Sequence, residues 1–380
     1  MRRASHPDRV LVPARPSPHS LARCRFELLL KGAVLGVFLA PLAAAQEPVK
    51  ARRVELASEF ETTTTRSTLV DGEERAFGGA PGSGRGAPQP SGPSVSTVRQ
   101  RVVFDDFEGP ESPRRYVTVE ADETRTGRDG SPQTSHVEGA LAGKAVVRGI
   151  DDQGQAVLVE IDGDTRQELA GELALGVPGR VELDVLVPPA DAEAGAELVV
   201  EPALRTALRT LFHPVAAERR FGGGPNGRGR GSRGRSGSSG LADWIGLLES
   251  EAMTAKAVAK FIGHEEREGR RFARVGFELT ASGAGSPARL GLNPMTTGGR
   301  GPSAPMPGDA DAEATLTLRG EALVDPASRR VVNIVLKGEL AWSSSSKREV
   351  ERDSGKSTFE SKHAVQGTLK LAASLRDAVR

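Results

Sequence analysis

Cysteine is nearly absent from this sequence, since its 380 residues contain only Cys24. Cys24 precedes an apolar run instead of following one, so it is not placed to accept the lipid of a lipoprotein. A chain without a pair of cysteines cannot be held by disulfides, which excludes the small disulfide-stapled domains. The sequence therefore predicts a fold that depends on an ordinary hydrophobic core.

Apolar runs of the roughly 20 residues that cross a membrane as a helix are also missing. The run from Gly32 to Leu42 is shorter, follows several basic residues and is followed by Ala43, Ala44 and Ala45. This order is typical of a signal peptide. We expect a signal peptide over residues 1–45 with cleavage after Ala45, export to the periplasm or beyond, and no transmembrane segment after processing.

Neither sign of charge dominates the remaining chain. Residues 1–45 hold seven basic and two acidic residues, which leaves 44 Lys and Arg against 48 Asp and Glu, a formal charge of −4. This balance does not favour nucleic acid as a partner of the whole protein.

Recognisable catalytic and metal-binding motifs are absent as well. The sequence contains no GxSxG motif, and its GxGxxG matches fall in a low-complexity tract instead of following a strand. The histidines outside the leader do not pair at a metal-ligand spacing; they are His136, His213, His264 and His363. We therefore predict no catalytic, cofactor-binding or metal-binding residues, no cofactor, and a protein that is not an enzyme.

The stretch from Ala314 to Leu375 has the clearest pattern, because its apolar residues recur with a period of two. It predicts three antiparallel strands, with a turn at Asp325-Pro326 and a polar connection from Ser343 to Ser357. Three glycines share the apolar parity, which is typical of a bend or of the close approach of another group; they are Gly320, Gly338 and Gly367. We interpret them as bends of a strongly curved sheet. Six side chains of the same parity form the candidate apolar concave face: Leu316, Leu318, Ile334, Leu336, Leu340 and Trp342.

Upstream, alternating segments predict further strands, among them Val54–Val70, Tyr116–Glu123, Val181–Val187 and the hairpin Met253–Thr280. Helical spacing appears only over Ala203–Phe212 and Leu241–Glu251. We expect a mainly β fold: a curved antiparallel sheet, half-barrel or sandwich-like, with one or two short helices and long disordered inserts rich in Gly and Pro. The predicted organisation is a β-rich half at 52–216, a linker at 217–240 and a second β-rich half at 241–376 with an insert at 281–312.

The linker contains a tract, residues 219–240, with six arginines and no acidic residue. It is similar to nucleic-acid-binding Arg/Gly segments, which bind phosphate without reading sequence. In an exported protein an anionic polymer of the envelope is the more suitable partner. The default interpretation of the tract is a solvated linker without a partner.

The chain resembles a class of exported, uncharacterised bacterial proteins with a domain of unknown function. The similarity lies in residues 141–159, in the entry Gly195-Ala196-Glu197-Leu198 into a helix, and in a closing hairpin at Asp325-Pro326. The strand plan is also similar to that of lipoprotein-carrier half-barrels, in which a coiled antiparallel sheet surrounds an apolar concavity. The resemblance implies no activity and no functional residues.

Two functions follow as expectations. The first is a non-enzymatic structural or interaction protein of the cell envelope, with a filled sheet interior. The alternative is a periplasmic binding module for an apolar ligand such as a lipid or a lipidated peptide. In the first case the helix from Ala203 to Phe212 covers the concave face, and in the second a ligand does.

Overall fold

The computed structural model describes residues 51–71, 73–74, 93–108, 113–126, 131–150, 156–169, 177–198, 200–213, 215, 239–292, 310–352 and 355–378. The predicted signal peptide with Ala45, residues 217–238 of the linker and residues 293–309 of the insert lie outside this range. The predictions made for those segments stay predictions.

Fourteen strands and two helices make up the described chain. The strands are β1 (Ala51–Val70), β2 (Glu73–Glu74), β3 (Ser94–Phe107), β4 (Arg114–Thr126), β5 (Pro132–Glu138), β6 (Ala145–Ile150), β7 (Ala156–Asp162), β8 (Thr165–Glu168), β9 (Glu197–Leu198), β10 (Thr254–Arg267), β11 (Arg270–Gly285), β12 (Ala310–Asp325), β13 (Arg330–Arg352) and β14 (Gly355–Asp377). The helices are α1 (Ala203–Arg209) and α2 (Ser239–Glu249). A single 3₁₀ turn spans Asp184–Leu186.

The strands belong to one antiparallel sheet with the order β8-β7-β6-β4-β3-β1-β14-β13-β12-β11-β10-β9, to which β2 and β5 are attached at β1 and β4. Over the described residues the two outermost strands, β8 and β9, do not pair with each other, so the sheet is open. The mainly β, antiparallel fold class with two short helices is confirmed.

The first and last strands meet in the middle of this sheet. Strand β1 pairs with β14 from Arg52 opposite Asp377 to Val70 opposite Phe359. Its other edge pairs with β3. The two β-rich segments that the sequence suggested therefore share one sheet and one hydrophobic core.

The C-terminal strands follow the predicted alternation, but one boundary was wrong. The turn after β12 forms as expected, with Asp325 Oδ1 accepting the Ala327 N–H at 3.1 Å. The polar run from Ser343 to Ser357 is not a connection, since β13 continues to Arg352 and β14 begins at Gly355. Apolar alternation stops where the core ends, whereas backbone pairing continues beyond it.

Two other segments also differ from the sequence prediction. Val181–Val187 is not a strand; it contains the 3₁₀ turn and lies against the core, with Leu183 and Leu186 buried. The segment expected to be an insert from residue 281 begins and ends in strand, because β11 runs to Gly285 and β12 starts at Ala310. Isolated strands and buried irregular segments carry the same apolar residues, so alternation alone did not separate them.

Candidate functional site

The inner face of the sheet is the candidate site. Its six predicted wall residues lie side by side on β12 and β13, where Leu316 is opposite Leu340 and Gly320 is opposite Leu336. Their exposed fractions range from 0 to 5 %. The wall is therefore covered in this structure. Helix α2 contacts it through Trp244 and Asp243, α1 is bonded to α2, and we call the two helices and the segments that flank them the cover.

Trp244 of α2 is the central residue of the cover. A Cβ atom added at Gly338 would lie 2.8 Å from the Trp244 ring and 2.6 Å from Leu318 Cδ2. Phe212, just after α1, stacks on the Trp244 ring with 6.4 Å between centroids. Gly338 thus leaves the space in which the indole lies against the strand, a close approach that a mid-strand glycine allows.

The other two glycines of the wall have a similar role. A Cβ at Gly320 would lie 2.5 Å from Phe277 Cζ, and one at Gly367 would lie 3.1 Å from Leu340 Cγ. Each glycine therefore admits a large side chain of its surroundings. Of the two interpretations that the sequence offered, close approach accounts for these contacts directly.

A polar contact joins the cover to the wall at Trp342. The Trp342 Nε1–H donates to Asp243 Oδ2 at 3.1 Å. Asp243 is buried, and this burial raises the pKa of its carboxyl from 3.8 to about 7, although the bond from Trp342 acts in the opposite direction. Near neutral pH the carboxyl is therefore divided between its protonated and its charged form, inside an apolar interface.

His363 lies next to this contact on β14. Its ring meets the Trp342 ring edge-on with 4.6 Å between centroids, and its Nε2 atom is buried without a hydrogen-bond partner. Burial first and the nearby charge of Arg66 second lower the pKa of His363 to about 4. His363 is therefore neutral at physiological pH and adds no charge to compensate Asp243.

The two helices of the cover are joined by arginine side chains of α1. Arg205 donates through Nε to the Leu248 carbonyl at 2.6 Å, through a terminal nitrogen to the Leu247 carbonyl at 3.1 Å, and also to the carbonyls of Ser250 and Met253. These carbonyls lie at and beyond the end of α2, where backbone acceptors lack helical partners. Arg209 adds an ion pair to Glu249 at 2.6 Å. We conclude that α1 and α2 are held together as one unit.

A second buried polar cluster attaches the segment after residue 177 to the sheet, at a distance from the wall. Arg114 of β4 forms two bonds with the Asp106 carboxylate, at 2.7 and 3.0 Å, and donates to the carbonyls of Pro178 and Gly179. Its guanidinium lies 4.3 Å from the centre of the Phe104 ring. These contacts pin the segment that follows residue 177 to the strands β3 and β4.

The four histidines considered in the sequence lie apart from one another. His136 pairs with Asp122 at 2.8 Å on the exposed strand β5, and His264 contacts Arg271 near the β10–β11 turn. His213 is in the core, where burial lowers its pKa well below 6.5. Within the described ranges, no group of three or more His, Cys, Asp or Glu side chains could hold a metal ion.

The outer face of the same sheet carries two hollows over its central strands. The first, of about 530 Å³, involves Thr65, Asp311, Glu313, Ser343 and Ser345 among others. The second, of about 410 Å³, is lined mainly by residues of β1, β12, β13 and β14, including Glu61, Thr63, Thr315, Thr317, Glu339, Ala341 and Gln366. Most of the lining side chains have the parity opposite to that of the wall, whereas Leu340 is the one wall residue that also borders the second hollow.

Sequence reasoning found the wall and its glycines but missed the polar contact in the cover. Asp243 and Trp244 stand on a predicted helix, and only the three-dimensional structure places them against Trp342 and Gly338. A tryptophan on a short helix and a glycine at core parity in a strand were the signals available. Nothing in the sequence connected the two.

In the part of the chain that the structure describes, neither helix is long and apolar enough to cross a membrane. No protein-family model matches the sequence, and no curated protein matches it. Among solved structures, OccK7 (OpdD) of Pseudomonas aeruginosa aligns at 8 % identity over 87 % of this chain and 100 % of its own, with a TM-score of 0.22. The loop L8 deletion mutant of OmpT, an outer membrane protein of Vibrio cholerae, aligns at 8 % identity over 85 % of this chain and 98 % of its own, with a TM-score of 0.12. OpdL of P. aeruginosa aligns at 8 % identity over 87 % of this chain and 99 % of its own, with a TM-score of 0.14. TM-scores this low do not support an inference about the fold or the function of this chain from the three alignments.

Proposed function

We propose that this chain is an exported, non-enzymatic structural or interaction protein of the cell envelope whose sheet interior is filled by its own helices. The observation that carries the proposal is the burial of all six wall side chains, together with the contacts that Trp244 and Asp243 of α2 make with Gly338 and Trp342. The export part depends on the signal peptide predicted over residues 1–45.

The fit between cover and wall supports a filled interior. Trp244 lies where the absence of a side chain at Gly338 leaves room for it, and Leu204, Leu208 and Leu211 of the α1 region are equally buried. Burying a large apolar side chain contributes roughly 1.5–3 kcal/mol. A ligand in the same place would have to displace these contacts before it could bind the wall.

A second candidate function is a periplasmic binding module for an apolar ligand such as a lipid or a lipidated peptide. One observation favours it: the cover contains a buried carboxyl, Asp243, next to a continuous apolar wall. Ionisation of Asp243 places a charge in that interface and weakens the cover. If α1 and α2 moved away together, six large apolar side chains would become available to a ligand.

Extraction separates the two candidates. Protein purified from the periplasm is extracted with organic solvent, and the extract is analysed by mass spectrometry. A filled interior predicts a lipid-free extract and one cooperative unfolding transition. Lipid at near-stoichiometric amounts would refute the filled interior and support the binding module.

A pair of neighbouring substitutions tests the same point. Leu336→Asp places an unpaired charge in the packed wall, so we expect a loss of several kcal/mol in the free energy of unfolding. Val335→Asp is the matched control, because Val335 is 48 % exposed on the outer face of the same strand; we expect a change of about 0.5 kcal/mol or less. Similar stability of the two variants would contradict the packed interior.

A further inference from the structure

The outer face of the sheet is divided into two electrostatically different halves. In one half, charges on neighbouring strands neutralise each other, as in Arg319–Glu278 at 2.8 Å and Arg99–Glu59 at 2.9 Å. The other half surrounds the two hollows and is rich in hydroxyl groups. The same antiparallel strands thus change from a surface of paired charges to a surface rich in hydroxyl groups with carboxylates at its margins.

Four exposed carboxylates frame the hollows: Glu61, Asp311, Glu313 and Glu339. Within the described ranges none of the four takes part in an ion pair, whereas Lys362, the lysine at the first hollow, pairs with Glu360 at 3.0 Å. The surface between them is therefore acidic in a way that the other half of the face is not.

The spacing of these carboxylates excludes a single small ion as the common ligand. Glu61 and Glu339 flank Thr368 on the two neighbours of β14, so their strands are roughly 10 Å apart. Glu313 lies opposite Ser343, which is four residues along β13 from Glu339, or about 13 Å. A ligand that contacts all of them must be extended and must carry several positive charges.

The floor between the carboxylates is made of small side chains, including Ala341, Ser343, Ser345 and Ala364. A floor of this kind lets a polypeptide backbone approach closely, and its hydroxyl groups can donate to or accept from peptide groups. Guanidinium groups bind carboxylates with two parallel hydrogen bonds. Glycines between the cationic residues would keep the backbone close to the floor.

The two hollows and the four carboxylates that frame them are called the outer groove. We propose that the outer groove is a docking surface for an extended cationic polypeptide rich in arginine and glycine. The inference deepens the proposed role as an interaction protein and rests on it, but it does not depend on what fills the inner face. The chain itself contains a sequence of this chemistry, residues 219–235, with six arginines and no acidic residue. That sequence serves as the probe.

The test measures binding of a fluorescently labelled peptide with the sequence of residues 219–235 to the full chain, at several salt concentrations. A matched peptide has glutamine in place of each arginine. We expect the arginine peptide to bind, its affinity to fall as salt rises, and the glutamine peptide to bind at least tenfold more weakly. Equal binding of both peptides would overturn the proposal.

Two matched variants locate the site. The first removes the four groove carboxylates, as Glu61→Gln, Asp311→Asn, Glu313→Gln and Glu339→Gln. The second removes the same number from the other half, as Glu55→Gln, Glu59→Gln, Glu278→Gln and Glu321→Gln. Each exposed ion pair is worth roughly a factor of 1.4 to 5 in affinity. The loss of four pairs is therefore expected to weaken binding to the groove variant about fourfold or more, whereas the control variant is expected to lose about twofold or less. Equal losses would mean that net charge alone is sensed and would refute the site.

A second readout covers the case in which the chain's own tract occupies the groove and keeps the peptide out. The rate of trypsin cleavage between Arg219 and Arg235 is compared for the same two variants. The proposal expects faster cleavage in the groove variant than in the control variant. If the peptide does not bind and the two cleavage rates are equal, the docking surface is refuted, whereas the lipid extraction and the Leu336 test still stand for the proposed function.

Discussion

Asp243 gives the sharpest prediction, because a carboxyl buried in the cover makes stability depend on pH. The structure raises its pKa from 3.8 to about 7. Between these values the unfolded chain releases the proton that the folded chain keeps, so stability falls as pH rises from about 4 to 7 and is constant above. Each pKa unit is worth 1.36 kcal/mol, which puts the loss on the order of 4 kcal/mol.

Substituting Asp243→Asn removes this dependence. The asparagine side-chain oxygen can still accept the hydrogen bond from Trp342, but it cannot ionise. At pH 8 we therefore expect Asp243→Asn to be more stable than the natural chain by up to the same few kcal/mol, and at pH 4 we expect the two to be nearly equal. The variant should also make the cover harder to open.

The assay is chemical denaturation of both proteins at pH 4, 6 and 8, analysed as a difference between them. His213 and His363 have lowered pKa values and contribute in the opposite direction, since their stabilising effect grows as pH rises towards 6.5. Both histidines are present in both proteins, so the difference isolates Asp243. Glu313→Gln is the exposed control. Parallel stability curves for the natural chain and Asp243→Asn would refute the reasoning.

Three further predictions concern the cover and the leader. Gly338→Ala should lower the free energy of unfolding by about 1–3 kcal/mol, because the new methyl group overlaps Trp244. Gly149→Ala is the control and should change this free energy little, because its new methyl group lies 3.5 Å from the nearest neighbour. Thermal melts of both variants check the difference. Arg205→Gln should lower the free energy of unfolding by about 1–3 kcal/mol, because it leaves carbonyls at the end of α2 unpaired. The exposed control Arg319→Gln should lower it by less than about 1 kcal/mol. Equal losses in denaturant titrations would contradict the proposed role of Arg205 in joining the two helices. Export from a Gram-negative host should yield a mature chain that begins at Gln46, and an intact mass that retains residues 1–45 would contradict the predicted cleavage.

The sequence was sufficient for the elements with strong periodicity. The alternation from Ala314 to Leu375 predicted the last three strands and the residues of the wall, because strand geometry places every second side chain on one face. It failed where pairing continues without a core, as in the polar end of β13, and where a buried segment is irregular, as around Asp184–Leu186. Alternation of apolar and polar residues indicates which side chains are buried, whereas strands can pair through their backbones without burying any side chain.

The candidate site was less predictable than the fold for a different reason. The bond between Asp243 and Trp342 joins residues 99 positions apart, and the groove carboxylates come from three strands. No local pattern expresses such distances. What the sequence could show was one half of the contact between Trp244 and the wall, namely the glycine Gly338, where a larger side chain would overlap Trp244.

The pairing of β1 with β14 determines how the sheet can assemble. These strands are about 300 residues apart in the sequence, yet they are neighbours in the centre of the sheet. Loss of β14 would therefore not shorten the sheet at its edge; it would divide it into a β1–β8 part and a β9–β13 part, each with a newly exposed strand edge. Exposed edges pair readily with other chains. Pairings between strands so distant in sequence form slowly, so we expect the complete sheet to form late in folding.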